Sequence, residues 1–155
     1  MKEIKVEHIM EMIDDLAEND WVNDINKMHS KYGVHNWVEK NPEKLWSYLE
    51  FRLNFIDEER DETWAAFDDR NPEEIVDGLI DLCVIAIGTL DALGVCPHTA
   101  WREVHKANMS KEVGVKESRP NRLGLPDLVK PDGWTAPSHE GNHGRIADAL
   151  RTDNI

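Results

Sequence analysis

The chain has 155 residues, enough for one domain with its own hydrophobic core, and 40% apolar with 32% charged residues is a globular rather than a disordered balance. Asp and Glu number 31 against 18 Lys and Arg, and the resulting formal charge of -13 argues against gripping a nucleic acid polymer. Cys83 and Cys96 form no Cys-x-x-Cys pair, and no apolar run reaches the length of a membrane span or signal core, so the expectation is a soluble, cytoplasmic protein without disulfides, thiolate zinc or a membrane role.

Helical periodicity dominates from the start, and nothing alternates in the manner of a sheet. A first helix is expected over Val6 to Leu16, with Ile9, Ile13 and Leu16 on one face. A second begins near Asp20, carries Trp21, Val22, Ile25 and Met28, and stops at Gly33. Val34 to Asn41 reads as a connection.

The third helix opens at Asn41-Pro42, a capping residue followed by proline in the first turn, and runs to Phe67 with Leu45, Leu49, Leu53 and Ile56 as its buried stripe. The fourth repeats that opening at Asn71-Pro72 and continues to Leu93, before Gly94. A fifth spans Pro97 to Lys111. Beyond it Gly114, Pro120, Gly124, Pro126, Pro131, Gly133 and Pro137 defeat long helices, leaving an irregular tail with at most a last turn between Gly144 and Leu150. The fold class is therefore all-α: an antiparallel helical bundle, with residues 1–111 as its core and 112–155 as an irregular extension of the same domain.

Two of these helices carry carboxylates in unexpected places. In I-D-E-E-R-D-E-T-W, Ile56 to Trp64, the stripe continued by steps of three and four turns Glu59 and Thr63 inward, while Glu58, Glu59 and Glu62 project from adjoining surfaces. Like charges at that spacing repel by about a few tenths of a kcal/mol per pair. Alone, the trio reads more readily as a solvated acidic face than as a site. In the fourth helix, Asp81 is the single charge inside the apolar run Leu79 to Ile87, and Asp77 lies one turn earlier. A buried carboxylate requires a partner: Arg52 or Arg60 in a salt bridge, or a cation. With the helices antiparallel across the short connection Asp68 to Asn71, Glu58, Glu59, Glu62, Asp77 and Asp81 fall at one level. An all-oxygen site of this kind suits Mg²⁺, with Mn²⁺ as a substitute, rather than zinc.

The pattern E-E-x-x-E at Glu58, Glu59 and Glu62, followed by D-G-L-I-D from Asp77 to Asp81, resembles the MazG-like nucleoside triphosphate pyrophosphohydrolases, relatives of phosphoribosyl-ATP pyrophosphohydrolases and dimeric dUTPases. The likeness extends to M-H-S-K-Y-G-V (Met28 to Val34), A-L-G-V (Ala92 to Val95) and E-V-H-K-A-N-M-S-K (Glu103 to Lys111), about residues 25 to 137 in all, and the tail K-P-D-G-W-T-A-P looks like that of phage-type relatives. The sequence departs from the family's second motif, Glu-x-x-Asp, in one place: Gly78 stands where the glutamate belongs, leaving Asp77 or Glu74 to supply its oxygen.

The resemblance implies metal-assisted hydrolysis of an NTP or dNTP to the monophosphate and pyrophosphate. It implies Glu58, Glu59, Glu62, Asp77 and Asp81 as metal ligands and Glu59 as the acceptor of the attacking water's proton. Asn108 and Lys111 would contact the nucleotide, Lys130, Arg119 and Arg122 are further candidates for phosphate, and Trp37 and Trp134 could stack on a base, although the six tryptophans are expected mostly to fill core and interface. It also implies a homodimer or homotetramer. The alternative on the same scaffold is a non-catalytic nucleotide sensor, to which Gly78 gives support.

Overall fold

The computed structural model describes residues 20–116, 123–124 and 127–151. The expected first helix, Arg119 and Arg122 lie outside them. Helix α1 is Trp21–Lys31, started by the Asp20 carboxylate, which accepts from the Val22 and Asn23 amides. Gly33, at φ 73°, does not lead into a loop. It is a pivot from which α2, Val34–Lys40, follows at once. The stretch expected as a connection is thus a helix, because Val34 and Val38 fall on one face and pack on the core.

A single 3₁₀ turn, Pro42–Lys44, leads into α3, Leu45–Asp68. Arg70 takes a left-handed conformation in the short connection (φ 55°). Helix α4, Pro72–Ala92, then starts with the Asn71 side chain accepting from the Glu74 amide and proline in its first turn. Gly94, at φ 72°, lets the chain leave α4, with the Val95 amide reaching back to the Leu90 carbonyl. Helix α5 is Pro97–Met109.

The tail is more ordered than its prolines and glycines suggest. Strand β1, Glu112–Gly114, pairs antiparallel with β2, Asp127–Val129, with Val113 opposite Leu128. Gly114 allows the close pairing, since a Cβ there would press on the Val129 methyls. Asn142 clamps the Cys96 backbone through both its amide atoms, at 2.8 and 3.0 Å. The short helix α6, Ile146–Ala149, follows. Its Ala149 joins Val38, Leu45, Ala92 and Leu93 in the main buried cluster, at the end of the bundle where α2, the start of α3 and the end of α4 meet. The architecture is all-α with this one small sheet.

The other end of α3 and α4 has a thinner core. Leu53, expected in the buried stripe, is 52% exposed, and Arg52 takes the inward position instead. Trp64, Phe67, Val76 and Leu79 are also exposed.

Candidate active site

Two contacts fix the register of α3 against α4. At one end Thr63 lies against Gly78, which is buried. At the other, Arg52 donates from Nε to Thr89 Oγ1 (3.1 Å) and from Nη2 to the Ile85 carbonyl (3.1 Å). Equal steps along the antiparallel pair, from Thr63–Gly78 or from Arg52–Thr89, put Glu59 level with Leu82, the neighbour of Asp81. Glu59 and Asp81 are both half-buried, whereas Glu58, Glu62 and Asp77 are exposed around them.

The electrostatics follow from this placement. Burial first, and then the charges of Asp81, Glu62, Glu58 and Asp77, push the Glu59 carboxyl above its usual range. The other four carboxylates named from the sequence therefore all act on Glu59, Asp77 and Asp81 from across the helix pair. Neither arginine considered as a partner serves Asp81. Arg60 pairs with Asp57 (3.0 Å) and Asp61 (2.9 Å) on its own helix, and Arg52 is committed to α4 backbone and hydroxyl oxygens. Among the described residues no lysine or arginine pairs with any of the five.

Gly78 has a structural reason. The Thr63 hydroxyl donates to the Glu59 carbonyl (2.7 Å), and a Cβ at position 78 would overlap that hydroxyl. The helices come too close here for a side chain on α4, so no glutamate can occupy this position without a change at Thr63.

Asn108 and Lys111 lie at the end of α5 and bond to each other, Lys111 Nζ donating to Asn108 Oδ1 (2.7 Å). The tail adds to them. Trp134 donates its indole N–H to the Ala107 carbonyl (2.8 Å), with Lys130 Nζ at 4.5 Å and Lys111 Nζ at 5.8 Å from its ring. Two cations thus gather on one indole ring through cation–π attraction. Trp37 lines a separate cavity of about 500 Å³ with Lys44, Ser47, Tyr48 and Phe51.

Sequence reasoning did not find a second polar cluster, in which Asp91 on α4 meets His29 on α1 and His35 on α2. Only a lone acid near the end of an apolar helix could have signalled it. Burial raises the Asp91 carboxyl, but hydrogen bonds from Asn26, His35 and His29 outweigh that and hold it below its usual range.

A long antiparallel helix pair with carboxylates facing across it, unpaired with any described lysine or arginine, has the chemistry to take up a hard divalent cation. Residues 35–108, just under half of the chain, match the family described as phosphoribosyl-ATP pyrophosphohydrolase, which belongs to the MazG-like all-α NTP pyrophosphohydrolase superfamily. The match contains α3 and α4 whole, with all five carboxylates, and ends at Asn108. It is narrower than the likeness seen from motifs alone, and it does not single out a phage-type branch. No curated protein and no solved structure matches the chain.

Proposed function

We propose that the protein hydrolyses a nucleoside triphosphate, ribo- or deoxyribo-, to the monophosphate and pyrophosphate with a divalent cation, Mg²⁺ or Mn²⁺. The observation that carries this reading is the set Glu58, Glu59, Glu62, Asp77 and Asp81, which faces across two helices and pairs with no lysine or arginine among the described residues. Mutual repulsion is a standing cost that a hard, oxygen-seeking ion removes, so the donor set fits such an ion. Glu58, Glu62, Asp77 and Asp81 would hold it, with Glu59 sharing. When bound, the cation supplies charge neutralisation for the triphosphate and acidifies water.

The remaining chemistry belongs to the chain. One Glu59 carboxylate oxygen accepts the proton of the water that attacks the α-phosphorus. Its raised affinity for protons brings it closer to the working pH of a general base. Lys111, steadied by Asn108 and Trp134, meets the negative charge that accumulates on departing pyrophosphate, and Lys130 adds a second positive charge beside it. The aromatic cavity of Trp37, Tyr48 and Phe51 takes the base. Phe51 precedes Glu58 by two turns of α3, about 10 Å, a nucleotide-sized separation.

A second copy of the chain completes the walls. Trp64, Phe67 and Leu79 stay exposed around a cavity of about 390 Å³ beside Thr63, an apolar surface suited to a homodimer or homotetramer. Two free cysteines, and the lack among the described residues of any single helix long and apolar enough to cross a membrane, fit a cytoplasmic setting.

Hydrolysis of a panel of NTPs and dNTPs in ¹⁸O water tests the reaction class. The reading predicts label in the nucleoside monophosphate and none in pyrophosphate, whereas diphosphate and labelled inorganic phosphate would refute it. The closed space at Gly78 favours one other reading, a nucleotide sensor that binds without turnover. It predicts nucleotide binding and no product from any member of the panel.

A further inference from the structure

Among the described residues His29, His35 and Asp91 bring ligand atoms within 4.8 Å of one another, a convergence that no three of the α3 and α4 carboxylates reach. His29 Nδ1 and His35 Nε2 each lie 2.7 Å from the same oxygen, Asp91 Oδ2. The side chains of His29 and Asp91 are buried, at 7% and 8% exposure, and that of His35 is on the rim at 35%. Each residue comes from a different helix, so α1, α2 and α4 converge on one point.

We propose that these three atoms form a second metal site, of the zinc class and distinct from the carboxylate cluster. Two imidazole nitrogens and one carboxylate oxygen suit a borderline ion in four-coordinate geometry, with the fourth position left to solvent at the His35 rim. The all-oxygen cluster on α3 and α4 suits a hard ion instead. The two sites are also apart: Asp91 follows Asp81 by about 15 Å along α4.

The surroundings are built for ligation. Asn26 Nδ2 donates to the other Asp91 oxygen, Oδ1 (2.7 Å), which fixes the carboxylate and leaves Oδ2 facing both rings. His35 Nδ1 lies 3.4 Å from Ser30 Oγ, a hydroxyl that can accept its proton once Nε2 is a ligand. Outer partners of this kind orient metal-binding histidines and carboxylates. Arg52, the cation near the His29 ring, bonds Ile85 and Thr89 and not Asp91. Separations of 2.7 Å are hydrogen-bond lengths, and donors about 2.1 Å from zinc stand about 3.4 Å apart. The partly exposed His35 ring can move outward to provide that room. Bound here, the ion ties α1 and α2 to α4 and acts on stability rather than on the hydrolytic step.

Cobalt(II) added to the tag-free, chelator-stripped chain tests this directly, because four-coordinate cobalt absorbs visible light intensely and six-coordinate cobalt weakly. The expected result is one equivalent giving an intense band, displaced by Zn²⁺ but not by excess Mg²⁺, retained in Asp81→Asn and lost in Asp91→Asn. Since Asp91→Asn removes a buried hydrogen-bond acceptor, His35→Gln provides a second variant at the rim, checked for unchanged helical circular dichroism, and must also lose the band. Weak six-coordinate absorption alone, a band that survives His35→Gln, or one lost in Asp81→Asn would overturn the proposal and leave His29, Asp91 and His35 as a hydrogen-bonded clasp.

Discussion

Thr63 occupies the space that a side chain at Gly78 would need, and its hydroxyl is fixed there by donating to the Glu59 carbonyl. That one contact sets the separation of α3 and α4 at the level of the carboxylates. It couples a departure from the family motif to a residue on the facing helix. Gly78→Ala is expected to destabilise the protein by about 1–3 kcal/mol through overpacking, despite alanine's better helix propensity. In a Thr63→Ala background the same change should be neutral or stabilising. Denaturant melts of the four proteins measure the coupling, and simple additivity of the two changes would contradict the account.

The raised Glu59 carboxyl gives a signed pH dependence in the absence of divalent ions. Its folded pKa lies above the unfolded one, so the folded state binds the proton more tightly. Stability contributed by that proton is full below the unfolded value and is lost as pH rises through the folded value. Glu59→Gln should therefore flatten the decline of the melting temperature as pH rises above the ordinary carboxylate range. An equally steep decline in the variant would mean that repulsion at Glu59 does not set it.

Stability and turnover should respond oppositely to removal of the outer carboxylates. Glu62→Gln and Asp77→Asn each relieve like-charge repulsion, for a gain of about a few tenths of a kcal/mol in the metal-free fold. Each is expected to lower kcat by about 100-fold or more, in the range for loss of a group that stabilises charge in the transition state. Asp77→Asn is the more informative, since Gly78 leaves Asp77 as the near source of an oxygen on that turn. Unchanged kcat in Asp77→Asn would remove Asp77 from the metal set.

Trp134 holds Lys111 and Lys130 on one ring and is anchored to α5 through Ala107. Trp134→Ala should lower kcat by about tenfold, roughly 1.4 kcal/mol of lost transition-state stabilisation, with a smaller effect on KM. Steady-state kinetics separate the two. A rise in KM with kcat unchanged would place these lysines in ground-state binding instead.

Much of the helical frame was legible because its punctuation is explicit: Asn71-Pro72 opens a helix and Gly94 closes one, whereas Asn41-Pro42 leads into a 3₁₀ turn without a side-chain cap and α3 begins only at Leu45. The five carboxylates were legible for a related reason. Helical spacing and a short connection determine which residues of two antiparallel helices share a level. Leu53 was misplaced because the stripe along α3 drifts with each turn, and Arg52, whose guanidinium finds oxygens on α4, turned inward in its stead. Helix α2 escaped notice because Gly33 looked like a stop, although its left-handed backbone serves as a pivot. The strand pair escaped because three-residue strands leave no periodic trace. The His29–Asp91 contact joins residues 62 apart, and no local pattern announces such a pair.

The central claim is that Asp81 and its neighbours hold a divalent ion for hydrolysis of a phosphoanhydride. Pyrophosphate release from the best NTP or dNTP, followed with Mg²⁺, with EDTA and in Asp81→Asn, tests it most directly. The account predicts release with Mg²⁺ that disappears in EDTA and in the variant while the variant remains helical. Release that persists in EDTA or in folded Asp81→Asn would contradict it.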